Sequence, residues 1–249
     1  MAEHDTRVAL VTGGSQGIGA AIARRLAQEG NDIVLTHRHD GSAELAAGVA
    51  ADVRAAGRRA LVLRFDAADD TQVGDLVRRA HAEWGRLDIL VNNAAVAHYH
   101  DVLDITDDQV AESLGVNVAT PYRLARDAAR VLPHGGRIIS IGSTVASRVP
   151  RTTASLYATT KSALVGMTKG MARDLAPRGI TVNLVSPGTT RTGMTPPEGS
   201  ERAELMVSFN AVKQFADPGD IAGLVAYVAS PEAHFVTGAN LSVDGGYTA

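Results

Sequence analysis

Several residue types are scarce or absent in this sequence, and each absence excludes a class of protein. There is no cysteine, which excludes disulfide bonds, thiol catalysis and thiolate metal sites. Aromatic residues make up only 4%, so a surface that stacks nucleic-acid bases is not expected. No apolar run approaches the roughly 18 residues of a membrane-spanning helix. Because the net charge is −3, we expect neither a nucleic acid nor a membrane as a partner.

The amino-terminal residues are polar and acidic, without the basic start and apolar run of a secretory signal. This start and the absence of cysteine favour a cytoplasmic protein. Hydrophobic residues make up 45% of the 249 and charged residues 20%, which is enough for a sizeable core with an ordinary surface. Neither a linker nor an internal repeat divides the chain, so we predict one domain, residues 1–249.

Short apolar runs alternate with helical patterns along the chain. The predicted strands occupy residues 7–12, 33–36, 60–65, 88–91, 137–141, 180–185 and 241–243. The predicted helices occupy residues 20–28, 43–56, 71–84, 106–132, a segment around Tyr157, 202–209 and 218–229. This order predicts an α/β Rossmann fold, a doubly wound seven-stranded parallel sheet with helices on both faces. Residues 189–217 break the alternation, and we expect them to form a lid.

A glycine-rich turn joins the first predicted strand to the first helix. It reads Thr12-Gly13-Gly14-Ser15-Gln16-Gly17-Ile18-Gly19. Glycines allow the backbone to approach phosphate groups, and a helix N-terminus offers free N–H groups with a positive dipole end. The strand, turn and helix together therefore predict a nucleotide-binding site.

The end of the second predicted strand bears on cofactor choice. In dinucleotide-binding folds an acid at this place holds a ribose 2′-hydroxyl, whereas a basic residue suits a 2′-phosphate. Here the chain has His37-Arg38, and no acid follows until Asp40. This favours NADP(H) over NAD(H). Asp66, after the third strand, is placed either to meet the adenine edge or to cap the next helix.

Tyr157 and Lys161 stand four residues apart in a helical pattern, which places both side chains on one face. A neighbouring ammonium favours a phenolate and so lowers the pKa of a tyrosine. The pair is thus suited to donate or accept a proton. Ser143 follows the fifth strand, where substrates bind in such sheets. His98 and His100 lack a further ligand, so we expect no metal site.

These motifs, in this order, resemble the classical short-chain dehydrogenase/reductase family over nearly the whole chain. The resemblance rests on the glycine turn, Asn92-Asn93-Ala94-Ala95, the set Asn117, Ser143, Tyr157 and Lys161, and Pro187-Gly188 with Thr192. It implies that Tyr157 donates a proton to a substrate carbonyl while Ser143 hydrogen-bonds the carbonyl oxygen. It also implies that Lys161 lowers the tyrosine pKa and holds the nicotinamide ribose, and that Asn117 anchors a water leading to Lys161.

The expected cofactor contacts combine the glycine turn, the Arg38 position and the family motifs. They are Gly13, Ser15, Gln16, Gly17, Ile18, Gly19, His37, Arg38, Asp66, Ala67, Asn93, Ala94, Tyr157, Lys161, Pro187, Gly188, Thr190 and Thr192. The resemblance further implies a homotetramer built partly through the Tyr157 helix, with a dimer as the alternative.

Two features depart from the common family pattern. Fourteen positions separate Ser143 from Tyr157, where many relatives have thirteen, which is similar to the naphthol-reductase branch. If the loop shifts, Thr144 is the alternative hydroxyl. Gln16 stands where many NADP-dependent relatives have a basic residue, so Arg38 is the main support for NADP(H).

Three hypotheses follow. The first is an NADPH-dependent reductase of ketones or β-ketoacyl groups, resembling 3-oxoacyl-(acyl-carrier-protein) reductases. The second is an NAD-linked secondary alcohol dehydrogenase, and the third is a non-catalytic dinucleotide-binding regulator. The substrate pocket is expected from residues 94–99, 147–156 and 189–215, with an apolar lining that includes Val149, Leu156 and Met194.

Overall fold

The computed structural model describes residues 6–150, 152–193, 195–197 and 199–249. Within these residues, seven strands form one sheet, and every neighbouring pair is parallel. The strands are β1 Val8–Val11, β2 Asp32–His37, β3 Ala60–Arg64, β4 Ile89–Asn92, β5 Arg137–Ile141, β6 Thr181–Pro187 and β7 Asn240–Val243. Their order is β3-β2-β1-β4-β5-β6-β7, so the chain reverses its direction of winding between β1 and β4. Ligands of open α/β sheets bind in the crevice at this switch point.

Helices connect the strands and cover the sheet. They are α1 Gly17–Gln28, α2 Ala43–Ala55, α3 Asp70–Trp84, α4 Asp107–Leu114, α5 Thr120–Val131, α6 Ser155–Leu175, α7 Glu201–Ser208 and α8 Pro218–Ala229. Buried side chains of α1, α2 and α8 form a core with one face of the sheet. Buried side chains of α3, α5 and α6 form a second core with the other face. The predicted doubly wound fold is therefore confirmed.

Three elements differ from the sequence-based boundaries by more than one residue at an end. Helix α1 begins at Gly17 rather than at residue 20, so the last glycines of the turn belong to the first helical turn. Strand β6 continues to Pro187, because it pairs with β7 as far as the Pro187–Val243 partners. The predicted helix 106–132 is interrupted by one π-helical turn, Gly115–Ala119, which contains Asn117.

The sequence predicts no membrane-spanning helix, and the helices of the structure can be compared with this prediction. In the part of the chain that the structure describes, no helix combines the length and apolar character that crossing a bilayer requires.

Candidate active site

A cavity of about 750 Å³ lies at the carboxyl ends of the central strands. It brings together most of the residues that the sequence singled out. Those that line it are Gly13, Ser15, Gln16, Gly17, Ile18, Gly19, Arg38, Asp66, Ala67, Asn93, Ala94, Ser143, Tyr157, Lys161, Pro187, Gly188, Thr190 and Thr192. Two predicted residues, His37 and Asn117, are not in this lining.

The glycine turn is shaped by the close approach of two chain segments. A Cβ atom on Gly19 would lie 2.2 Å from the Gly13 carbonyl oxygen and 2.5 Å from Asn93 Nδ2. Gly13 itself has φ +63°, a left-handed conformation that favours glycine. A side chain at Gly19 is thus excluded by the close packing of the turn on itself and on Asn93, which only glycine allows.

Asn93 and Thr12 hold this turn in place. The Asn93 amide Nδ2 donates to the carbonyl oxygens of Thr12 and Gly13, at 2.9 and 3.1 Å. Thr12 Oγ1 accepts from the backbone N–H groups of Asn93 and Ala94, at 2.9 and 3.1 Å. Sequence reasoning did not assign a role to Thr12. Thr12 lies between a buried strand and the first glycine of the turn, and this position could have predicted its role.

The N-terminus of α1 faces the cavity without a protein cap. No side chain caps this helix, and no acid occupies its first turn. Gly17, Ile18 and Gly19 of that turn line the cavity. Because the first N–H groups of a helix need acceptors and attract anions, the turn fits a diphosphate.

At the other end of the cavity Arg38 is flanked by carboxylates. Its Nε lies 3.3 Å from Asp66 Oδ1, and its Nη2 lies 3.5 Å from Glu112 Oε1. The N-cap of α3 is Asp69, whose side chain accepts from the Thr71 N–H, so the capping alternative for Asp66 is not realised. Asp66 instead faces the cavity beside Arg38.

His37 was predicted to contact the cofactor, and the structure does not bring it to the cavity. Thr36 Oγ1 accepts from the Gly13 N–H at 3.0 Å, so this side of β2 faces the glycine turn. Successive strand residues point to opposite faces, and His37 consequently points away. Its ring is buried, with Nδ1 3.1 Å from the His39 carbonyl oxygen. His39 lines the cavity in its place.

The Tyr157–Lys161 pair lies on one face of α6, as the spacing predicts. Lys161 is 4% exposed, and its Nζ donates to the Ile141 carbonyl oxygen at 2.9 Å. The same Nζ lies 5.6 Å from the centre of the Tyr157 ring. Burial lowers the pKa of Lys161 from 10.5 to about 8, because an ammonium group is poorly solvated there. The Tyr99 ring also contacts Tyr157, with 5.5 Å between ring centres.

Asn117 supports the site from behind. Its Nδ2 donates to the Val96 carbonyl oxygen at 2.8 Å and to Thr160 Oγ1 at 3.1 Å. Its Oδ1 accepts from the Val96 N–H at 2.9 Å. The side chain thereby joins the loop after β4 to α6, the helix that carries Tyr157 and Lys161. The described side-chain contacts of Asn117 are those of a positioning residue.

Both candidate hydroxyls after β5 line the cavity. Ser143 is half-buried, and its Oγ accepts from the Val145 N–H at 3.3 Å. Thr144 is 4% exposed and begins a short 3₁₀ turn, Thr144–Ala146. Ser143 is therefore the more accessible of the two.

Part of the cavity lining is apolar. The residues of this part include Val96, Tyr99, Val145, Pro150, Met206, Phe209 and Tyr247. Tyr247 was not predicted; its ring meets Phe209 edge-on, with 6.3 Å between centres. Val149 and Leu156 were expected in this lining and do not line the cavity, and Val149 is 49% exposed instead. Met194 lies outside the described residues.

Described residues of the segment 189–217 form part of the rim of the same cavity. The two ends of the segment are joined by main-chain bonds, from Ala216 N–H to the Thr189 oxygen at 2.9 Å and from Arg191 N–H to the Ala216 oxygen at 2.8 Å. Helix α7 lies between these ends and contributes Arg202 and Met206 to the lining.

No metal centre was expected near His98. In the described ranges, no three His, Cys, Asp or Glu side chains stand close enough together to hold a metal ion. His98 Nε2 lies 2.8 Å from Glu112 Oε2.

A parallel sheet with a phosphate-binding turn and an adjacent Tyr–Lys pair defines an NAD(P)-dependent oxidoreductase. A family model described as Enoyl-(Acyl carrier protein) reductase matches residues 13–248. The chain belongs to the classical short-chain dehydrogenase/reductase family.

Three relatives illustrate the range of this similarity. A short-chain dehydrogenase from Burkholderia cenocepacia, solved in complex with NADP, is 47% identical, with TM-score 0.94 and 98% of both chains covered. A cyclic-di-GMP-binding biofilm dispersal mediator protein of Escherichia coli is 40% identical over 98% of both chains. A 3-oxoacyl-[acyl-carrier-protein] reductase of Vibrio harveyi is 34% identical over 96% of both chains.

Proposed function

We propose that this protein is an NADPH-dependent reductase of ketones or β-ketoacyl groups. The observation that carries the proposal is one cavity lined by the glycine turn, Arg38, Ser143, Tyr157 and Lys161. The cavity thus joins a phosphate site to a proton donor. An apolar wall beside Tyr157 leaves room for the carbon skeleton of a substrate.

Each polar side chain has a role in reducing a carbonyl group. The cofactor supplies the hydride that the carbonyl carbon receives. Tyr157 donates its phenolic proton to the carbonyl oxygen as negative charge develops there. The Ser143 hydroxyl donates a hydrogen bond to the same oxygen. Lys161, which is held by the Ile141 carbonyl, places its ammonium beside the Tyr157 ring and favours loss of the proton.

Arg38 supports NADP(H) over NAD(H). Arg38 directly follows β2 and lines the cavity. In dinucleotide-binding folds a basic residue at this place suits a cofactor 2′-phosphate. The relative from Burkholderia cenocepacia binds NADP by its own description. Gln16 supplies no positive charge, so the preference for NADP(H) depends on Arg38. We therefore expect that substitution of Arg38 alone would change this preference.

The non-catalytic alternative has one observation in its favour. The Escherichia coli relative is described as binding cyclic-di-GMP, a ligand that contains two phosphates. Here the Tyr157–Lys161 pair lines the same cavity as Ser143, and a regulator that only binds a nucleotide has no need of this combination. We therefore place reduction first and regard cyclic-di-GMP as a ligand to test in competition.

Two finer expectations belong to the same proposal. Segment 189–217 acts as a lid, since its described residues form part of the cavity rim and it is tied down at both ends. The assembly is a homotetramer, and the exposed small residues Ala163, Gly166 and Gly170 on α6 would permit close packing of two helices. Sedimentation velocity would distinguish the tetramer from a dimer.

The test begins with titration of the purified protein by NADPH and by NADH, followed through nicotinamide fluorescence. We expect NADPH to bind at least about tenfold more tightly, which corresponds to one good phosphate contact. NADPH oxidation is then followed with a panel of cyclic ketones and β-ketoacyl thioesters, with and without cyclic-di-GMP. Tighter NADH binding with alcohol oxidation would favour the second hypothesis. Tight cyclic-di-GMP binding without any turnover would favour the third.

A further inference from the structure

One carboxylate outside the cavity lining is shared between two groups near it. Glu112 Oε1 lies 3.5 Å from Arg38 Nη2, and Glu112 Oε2 lies 2.8 Å from His98 Nε2. The three residues come from different elements: the end of β2, helix α4 and the loop after β4. Arg38 is also held by Asp66, at 3.3 Å.

The position of Glu112 is not explained by helix stability. It stands in the last turn of α4, and the helical backbone continues through the π turn into α5, so its carboxylate caps no helix end. Its side chain is 32% exposed, and that of Arg38 is 51% exposed. Exposed pairs of this kind contribute little to folding. A structural role alone therefore gives little reason for an acid at this place.

The consequence for Arg38 is more direct. A phosphate on the cofactor ribose needs the guanidinium that Glu112 and Asp66 already contact. Asp66 lines the cavity, whereas Glu112 approaches Arg38 from outside it and at the longer distance. The Glu112 contact is the longer and so the weaker of the two, and the negative charge of Glu112 beside the guanidinium also repels that phosphate.

We propose that Glu112 is a selectivity residue that competes with the cofactor 2′-phosphate for Arg38, and that His98 weakens this competition by holding the same carboxylate. The inference rests on the proposed NADP(H) site. Glu112 lowers the preference for NADP(H) over NAD(H), and His98 restores part of it.

This arrangement predicts substitutions of opposite sign. Glu112→Gln removes the charge but retains an oxygen that accepts from His98, so binding of a 2′-phosphate tightens by about two- to fivefold. His98→Ala leaves Glu112 to Arg38, so the same binding weakens by about two- to threefold. The double variant behaves like Glu112→Gln, because His98 acts only through that carboxylate.

The experiment uses calorimetric titration at neutral pH and low ionic strength. The probes are adenosine 2′,5′-bisphosphate and 5′-AMP, which lack nicotinamide and so do not depend on Tyr99 or Tyr157. Affinity for 5′-AMP serves as the internal reference in every variant. Glu29→Gln is the matched control, since Glu29 is also paired with an arginine, Arg25, at 2.8 Å on an exposed helix end. It tests for the general effect of removing one negative charge.

The outcomes separate the two proposals. Tighter bisphosphate binding by Glu112→Gln, beyond that of Glu29→Gln and with 5′-AMP unchanged, supports the inference. An unchanged or weaker affinity overturns it, and so does a double variant that follows His98→Ala. If the wild-type protein itself does not prefer the bisphosphate to 5′-AMP, the proposed NADP(H) site fails together with the inference. Glu112→Gln decides the matter even if His98→Ala fails to fold.

Discussion

We name two ends of the cavity by their proposed roles, the reaction end at Tyr157 and Lys161 and the adenosine end at Arg38. The two ends are built in different ways. At the reaction end, Lys161 is 4% exposed, and the structure holds it by a main-chain carbonyl. At the adenosine end, the side chain of Arg38 is 51% exposed and lies among carboxylates. Buried polar groups are costly to leave unpaired, whereas exposed ion pairs are worth little. The reaction end is thus coupled to folding, while the adenosine end can change its preference at small cost to stability.

The largest expected effect is at the reaction end. Tyr157→Phe removes the proton donor and should lower kcat for ketone reduction by about 10²- to 10⁴-fold. The dissociation constant for NADPH should change much less, because the ring remains in place. Tyr122→Phe, on the exposed surface of α5, is the matched control and should leave both values unchanged. An equal loss of turnover in both variants would contradict the role of Tyr157 as the proton donor.

The burial of Lys161 predicts an unusual dependence of stability on pH. The folded protein releases the Lys161 proton near pH 8, while the unfolded chain retains it to about pH 10.5. Between these values the unfolded state binds more protons, so this lysine's contribution to the free energy of unfolding rises with pH. Relative to Lys161→Met, the wild type should gain up to about 1.4 kcal/mol per pH unit. Urea unfolding of both proteins at several pH values measures the difference, and a constant difference would contradict the prediction.

Substitution of Asn117 tests whether the reaction end depends on the hydrogen bonds that join the loop after β4 to α6. Asn117→Ala leaves Val96 and Thr160 without their amide partner and should lower the free energy of unfolding by about 2 kcal/mol. The melting temperature should fall by about 4–8 °C for a chain of this size. Asn117→Asp keeps the acceptor for the Val96 N–H but sets a buried carboxylate against the Val96 carbonyl oxygen, so we expect a loss at least as large. Calorimetry that finds no loss in either variant would show that the support is not needed.

The smallest effect on stability is expected at the adenosine end. Arg38→Met should weaken NADPH binding by about tenfold and leave NADH binding almost unchanged. The melting temperature should stay within a degree or two, because exposed ion pairs contribute little. Fluorescence titration and thermal melting check the two parts separately. A large drop in the melting temperature of Arg38→Met would mean that the adenosine end also contributes strongly to stability, which would contradict the contrast between the two ends.

The same contrast explains which features could be predicted from sequence. The glycine turn and the Tyr157–Lys161 pair are local patterns, and local spacing determines which face of a helix or turn they share. Thr12, Glu112 and Tyr247 meet the site through contacts between distant parts of the chain, which no local spacing reveals. His37 was predicted as a cofactor contact from its place at the end of the strand, but the alternation of β2 turns its side chain away from the cavity that Thr36 and Arg38 line. The π turn at Gly115–Ala119 also depends on a distant partner, since Asn117 bonds to Val96 and Thr160.

The Asn93 side chain has a consequence for the chemical lifetime of the protein. Its amide nitrogen donates to two carbonyl oxygens that shape the phosphate turn. Hydrolysis of that one amide to a carboxylate would replace two donors by an acceptor and set a negative charge against both carbonyls. The same charge would face the incoming diphosphate. We therefore expect deamidation at this single position to weaken cofactor binding at the proposed site, while the sheet and both cores stay intact.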